Sequence, residues 1–173
     1  MNIEVELNKP ELFVGIDQSY SGFGLVVLDH EGSLVETKLW SFPPMKTDGE
    51  RLSKIYFTVD DYLSSLLSGY GTFSKYRNLS VDDIHISMED YAYGKMFNRE
   101  KLGELGSIVK LVIYHNDKKV TTVAPRSLKK FMTGKGTASK EDMVNAVQTL
   151  EPSITNHNLA DAYGLAYMLY SQK

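Results

Sequence analysis

No cysteine occurs anywhere in the 173 residues. Disulfides, thiolate zinc sites and iron–sulfur ligation are thereby excluded, and the composition suits a reducing compartment. Histidine is scarce as well: four residues, scattered along the chain, do not form a dedicated imidazole cage. No apolar run approaches the ~18 residues that a membrane span needs. The opening MNIEVELNKPE is acidic and polar, unlike a secretory signal, so a cytoplasmic protein is expected. Internal repeats, low-complexity segments and linkers are absent too. A chain of this length reads as a single domain over 1–173, and burying roughly 70% of its unfolded surface lets it fold without staples.

Positive charge is also in deficit. Lys and Arg number 19 against 22 Asp and Glu, with pI near 5.8, which taken whole argues against a nucleic-acid binder. The distribution says otherwise. Between Tyr91 and Lys140 stand 11 basic residues, Lys95, Arg99, Lys101, Lys110, Lys118, Lys119, Arg126, Lys129, Lys130, Lys135 and Lys140, against three acids, Glu100, Glu104 and Asp117. A basic block inside an acidic protein is a candidate phosphate-contacting surface; solvated helix lysines are the plainer alternative.

The hydrophobic pattern predicts one α/β domain. Leu12 to Asp17 is a short apolar run that reads as a buried strand. Gln18-Ser19-Tyr20-Ser21-Gly22 is turn chemistry, and Phe23 to Leu28 returns as its hairpin partner. Leu34 to Phe42 alternates as a third strand, ended by Pro43-Pro44. Helical spacing runs from Asp48 to about Ser68, and Tyr70 to Asp83 reads as a surface connection. Ile84 to Glu89 is a fourth strand, Arg99 to Asn116 a helix, Lys119 to Ala124 a fifth strand and Ser127 to Met132 a helical turn. Ser139 caps a helix to Leu150, with Asp142 three residues on, and His157 to about Ser171 is the last helix. The order β-β-β-α-β-α-β-α-α implies a mixed five-stranded sheet with helices on both faces.

Three carboxylates stand out. Asp17 closes the first strand and Glu89 the fourth, where an unpaired buried charge is costly. Asp161 lies one turn into a helix otherwise built of Leu159, Ala160, Ala162, Leu165 and Ala166. Each has a bland alternative: a turn cap, a solvated strand end, a first-turn acid favourable to the helix dipole. Jointly they are more specific. Neighbouring strands can set Asp17 and Glu89 side by side, and a helix across that edge can add Asp161. Three such acids repel unless they hold cations. Hard oxygen ligands select Mg²⁺ or Mn²⁺, and two ions about 4 Å apart serve in-line phosphodiester hydrolysis.

On these residues the chain resembles the RuvC-type Holliday junction resolvases of the RNase H-like superfamily. The run VGIDQSYSGFGLVVL is similar to their first strand and hairpin. ISMEDYAYGKMFNREKLGELGSIVKL is similar to their second acidic strand, its loop and the long helix after it. VAPRSLKKFMTGKGTASKEDMVNAV is similar to their basic loop-helix segment, with Gly134, Gly136 and Lys140 in its Gly-x-Gly-x-x-x-Lys pattern, and NLADAYGLAYM to the closing helix. The resemblance implies an RNase H-like fold and a metal-dependent endodeoxyribonuclease. It would resolve four-way junctions, with other branched DNA as further substrates, by paired nicks as a homodimer, with two Mg²⁺ per site and Mn²⁺ as substitute. Asp17, Glu89 and Asp161 match its metal-binding acids, and Lys129 and Lys140 its basic residues near the scissile strand. The family's fourth ligand, an acid or histidine, falls on Asn158, with His157 beside it. The aromatic in its junction loop falls on Ala92, between Tyr91 and Tyr93, and its proline-glycine after the first acid is Gln18-Ser19. These departures suggest a divergent member, a phage-borne one being an option.

The basic block then has a role. Lys95, Lys129, Lys135 and Lys140 would neutralise phosphates by counterion release, with Lys140 also stabilising charge at the reacting phosphate. Tyr91 and Tyr93 would stack on bases, unless they are packing residues. The glycines of Thr133 to Thr137 would let backbone amides reach phosphate. The stripe Leu102, Leu105, Val109, Val112 is either core or part of a dimer face. Three rivals share parts of the pattern: another RNase H-like nuclease acting on RNA–DNA hybrids or flaps, a non-catalytic junction-binding protein, and a sugar-kinase or actin-like ATPase, which needs two such domains.

Overall fold

The computed structural model describes residues 10–90 and 99–173. Five strands form one sheet: β1 (Leu12–Asp17), β2 (Phe23–Asp29), β3 (Leu34–Trp40), β4 (Ile84–Glu89) and β5 (Val120–Val123). Their spatial order is β3-β2-β1-β4-β5. The hairpin strands pair antiparallel, β2 with β1 and with β3, whereas β4 runs parallel to β1 and β5 parallel to β4. Parallel neighbours need a crossover. The helix α1 (Asp48–Leu67) supplies the first and α2 (Arg99–His115) the second. Three helices follow: α3 (Pro125–Thr133), α4 (Lys140–Gln148) and α5 (His157–Tyr170).

Side chains alternate across a strand, and that alternation sorts the sheet into two faces. Leu12, Val14 and Ile16 of β1 and Ile84, Ile86 and Met88 of β4 bury against Ile55, Val59, Leu63 and Leu66 of α1 and Leu105, Val109, Val112 and Ile113 of α2. The intervening residues face α5. Phe13 packs with Ala160, Ala162, Tyr163 and Ala166, and Ser87 hydrogen-bonds α5. Asp17 and Glu89 continue these odd-numbered sets.

The helix sits unusually low over β1. A Cβ at Gly15 would lie 1.9 Å from the Ala162 carbonyl oxygen, and one at Gly24 would lie 2.5 Å from that of Asn158. Only residues without side chains let the two backbones approach so closely. At α4 the expected cap is complete: Ser139 Oγ accepts from the Asp142 amide at 3.1 Å, and Asp142 Oδ2 accepts from the Ser139 amide at 2.8 Å.

Two expectations need correction, and one alternative is decided. The connection from Tyr70 to Asp83 is no plain surface loop: two 3₁₀ turns, Gly71–Tyr76 and Val81–Asp83, bury Phe73 and Tyr76 against the α1 side of the core. On α2, Leu105, Val109 and Val112 are wholly buried core, so that stripe is not free to form a dimer face. Lys118 is no phosphate contact, being 6% exposed with its ammonium donating to the Ile84 carbonyl at 3.2 Å. That carbonyl opens β4, at the far end of the strand from Glu89.

Candidate active site

β1 and β4 run parallel with Ile16 opposite Met88, so their next residues, Asp17 and Glu89, end adjacent strands at one edge of the sheet. Period two turns both toward α5, which carries Asp161 in its second turn. Asp17 is 6% exposed. Glu89 and Asp161 are half-buried. The three share one electrostatic field. Burial, with the charges of Glu89 and Asp161 added, holds the Asp17 carboxyl well above the usual carboxylate range. Burial and then the Asp161 charge push Glu89 up to about 7. Burial raises Asp161 to about 6, against the pull of Lys129 and Lys140.

Lys140 is the first residue of α4 and is exposed. Its charge is felt at Asp17, Glu89 and Asp161, and it helps burial lower the pKa of His157. Lys129 of α3 also acts on Glu89 and Asp161. Its ammonium is engaged as well, donating to the Ala138 carbonyl at 2.8 Å, which ties α3 to the segment that launches α4. Two cations therefore lean on three repelling acids.

Asn158 lies one turn before Asp161, with its amide against the β1–β2 turn: a Cβ at Gly22 would lie 2.0 Å from Nδ2 and 3.7 Å from Oδ1. The donor set suits a hard divalent cation, since it offers carboxylate oxygens, an amide oxygen and no thiolate. Among the described residues no three His, Cys, Asp or Glu converge closely enough to hold an ion.

Other expected contacts fall outside this cluster. Lys135 is exposed on the loop between α3 and α4. The amides of that loop are partly spent: Gly134 N–H donates to the Lys130 carbonyl at 2.9 Å and Lys135 N–H to Thr133 Oγ1 at 3.2 Å, so neither is left for phosphate. Gly134 instead ends α3 in the left-handed conformation (φ 77°). Lys101 pairs with Asp48 at 3.7 Å. Tyr91, Tyr93 and Lys95 lie outside the described residues.

Residues that sequence reasoning passed over also shape the site. Gly15 and Gly24 seat α5. Gln18 and Ser87, both 0% exposed, hydrogen-bond across the elements that carry the acids. Their only sequence signal was polarity at positions next to, or in phase with, a strand-end acid.

Comparison with known proteins adds independent findings. A family model described as crossover junction endodeoxyribonuclease RuvC matches residues 13–168. A crossover junction endodeoxyribonuclease RuvC of Chlorobium phaeobacteroides is 27% identical over 150 residues, which are 84% of this chain and 73% of that protein. The RuvC structure of Thermus thermophilus superposes with a TM-score of 0.68 at 18% identity, covering 93% of this chain and 94% of that one. The same bacterium's RuvC in complex with Holliday junction substrate gives 0.69 at 19% identity, covering 90% of each chain.

Proposed function

Because this chain belongs to the crossover junction endodeoxyribonuclease RuvC family, we propose that it resolves Holliday junctions by paired, metal-dependent nicks, acting as a single nuclease domain on DNA in the cytoplasm. The observation that carries the reading is the mutual electrostatic influence of three part-buried carboxylates near one sheet edge. Asp17 and Glu89 end neighbouring parallel strands on one face, and α5, which carries Asp161, packs closely over Gly15 of β1. Among the described residues no helix is long and apolar enough to cross a membrane.

Asp17, Glu89 and Asp161, with the Asn158 amide oxygen, would hold two Mg²⁺ ions, Mn²⁺ substituting. Bound there, the ions supply Lewis-acid stabilisation of the attacking and leaving oxygens of the phosphodiester. The remaining work belongs to the chain. Lys140 places a cation where negative charge grows on the phosphate. Lys129, held by the Ala138 carbonyl, keeps α3 and α4 in register with the acids. Lys135 contacts a phosphate further along an arm, and Tyr91, Tyr93 and Lys95 are further DNA-contacting residues. Two opposed nicks in a two-fold junction call for two sites, which a C2 homodimer provides. With the α2 stripe buried, its interface falls on the outer face of α1 and α2, where Phe57 is 62% exposed, Leu111 42% and Tyr114 75%.

The test incubates the protein with a labelled four-way junction, a duplex, a flap and an RNA–DNA hybrid, with and without Mg²⁺. Symmetric paired nicks in the junction, dependent on metal, are expected. Asp17→Asn, Glu89→Gln and Asp161→Asn should each slow cleavage about 10³-fold, about 4 kcal/mol of transition-state stabilisation, while binding the junction normally in chelator. Cleavage of the hybrid alone would reassign the substrate, and near wild-type cleavage by any of the three variants would unseat the site.

A further inference from the structure

We propose that Gln18 and Ser87 are positioning residues for the acid cluster, two wholly buried side chains that fix the spacing of the three elements carrying Asp17, Glu89 and Asp161. The inference rests on that cluster being the catalytic site. Gln18 follows Asp17 at the end of β1, and its Nε2 donates to the Glu89 carbonyl at 2.8 Å. On the other side of Glu89, the next amide, that of Asp90, donates to the Val123 carbonyl of β5, also at 2.8 Å. Glu89 is thus pinned from both neighbouring strands. Ser87, two residues earlier and on the same face as Glu89, donates its hydroxyl to the Leu165 carbonyl at 2.9 Å. Leu165 lies one turn after Asp161 on α5. Gly15 completes the figure, since its missing side chain sets how low α5 sits on β1.

The three contacts join β1 to β4, β4 to α5 and α5 to β1, and each element carries one acid. Apolar side chains would fill the same volume without the cost of burying polar atoms. A hydrogen bond adds a fixed length and direction, whereas apolar packing tolerates sliding. The acids repel one another, and that repulsion works to part the strand ends and lift the helix. Ligand groups must be held within about 0.5 Å of their working positions, so tethers that resist this parting preserve affinity for a cation. Neither residue touches the reacting atoms: both act through the backbone of residues on the elements they join.

The test uses the full chain, first without DNA and then with a four-way junction. Mn²⁺ binding is followed by the paramagnetic resonance of the free ion for wild type, Gln18→Met, Ser87→Ala and Ser87→Thr, with thermal unfolding in chelator as the folding control. Gln18→Met and Ser87→Ala are expected to weaken Mn²⁺ binding about 10-fold or more, and to raise the Mg²⁺ needed for half-maximal junction cleavage in step. Junction binding in chelator stays unchanged, and Ser87→Thr, which keeps the hydroxyl, regains most of the loss. Folded variants that bind Mn²⁺ as wild type does would overturn the proposal. So would failure of both Gln18→Met and Ser87→Ala to fold, because the two hydrogen bonds would then serve stability alone. If wild type binds no Mn²⁺ even with a junction present, the metal reading of the acid cluster itself falls.

Discussion

Replacing Glu89 by Gln should make the metal-free protein more stable at pH 8. The Glu89 carboxyl, ordinarily near 4.5, titrates at about 7 in the folded chain. An acid whose folded pKa is raised binds its proton more tightly when native. Below pH 4.5 the proton is present in both states and nothing is lost. Between 4.5 and about 7 stability falls as pH rises, and above 7 the whole penalty applies. At 1.36 kcal/mol per pH unit that penalty is about 2–3 kcal/mol, allowing for the half-buried position. Gln removes it, and relieves Asp17, whose ionisation the Glu89 charge opposes. A domain of this size shifts its Tm by about 2–4 °C per kcal/mol, so a gain of roughly 4–12 °C is expected at pH 8. The assay is thermal unfolding in chelator from pH 4.5 to 8, repeated with Mg²⁺. The gap should close toward pH 4.5 and narrow with Mg²⁺, because cations relieve the same repulsion in wild type. A Gln variant no more stable than wild type at pH 8, or a gap independent of pH, would refute the reasoning.

Gly15→Ala places a Cβ 1.9 Å from the Ala162 carbonyl oxygen. It should cost about 3 kcal/mol by forcing α5 off the sheet, read as a lower midpoint in urea, with Mn²⁺ binding lost along with stability. Lys135→Ala should flatten the salt dependence of junction binding by roughly one unit and leave Tm unchanged, since its ammonium is exposed. Lys129→Ala should also lower Tm by a few degrees, because the Ala138 carbonyl loses its donor; anisotropy titrations across a salt series, with melts alongside, separate the two.

Much of the architecture was legible in the residues. Strands β1 and β4 match their expected bounds, and the other elements agree to within about two residues, because apolar runs closed by turn or cap chemistry leave little choice. Where local pattern competes with packing, reading fails. The stretch from Tyr70 to Asp83 is polar enough to read as surface, yet Phe73 and Tyr76 turn inward from a 3₁₀ geometry whose period matches neither helix nor strand. The basic block misled in another way. Lys118, Lys101 and Lys135 are neighbours in a charge count, but one is buried at the far end of β4, one pairs with Asp48 and one is exposed on a loop.

The residue order by itself determined which side chains could meet. Two strand-end acids stand two residues beyond Gly15 on β1 and two beyond Ser87 on β4, so alternation with period two puts each on the same face as that residue of its own strand. Only the tertiary structure decided how near they come and what they cost. The parallel register of β1 and β4, the low seat of α5 over Gly15 and Gly24, and the hydrogen bonds of Gln18 and Ser87 join residues from about 70 to nearly 150 positions apart. Burial, which raises all three carboxyls, and the mutual charge that adds to it at Asp17 and Glu89 exist only once those contacts are made, since in the extended chain water screens each acid from the others.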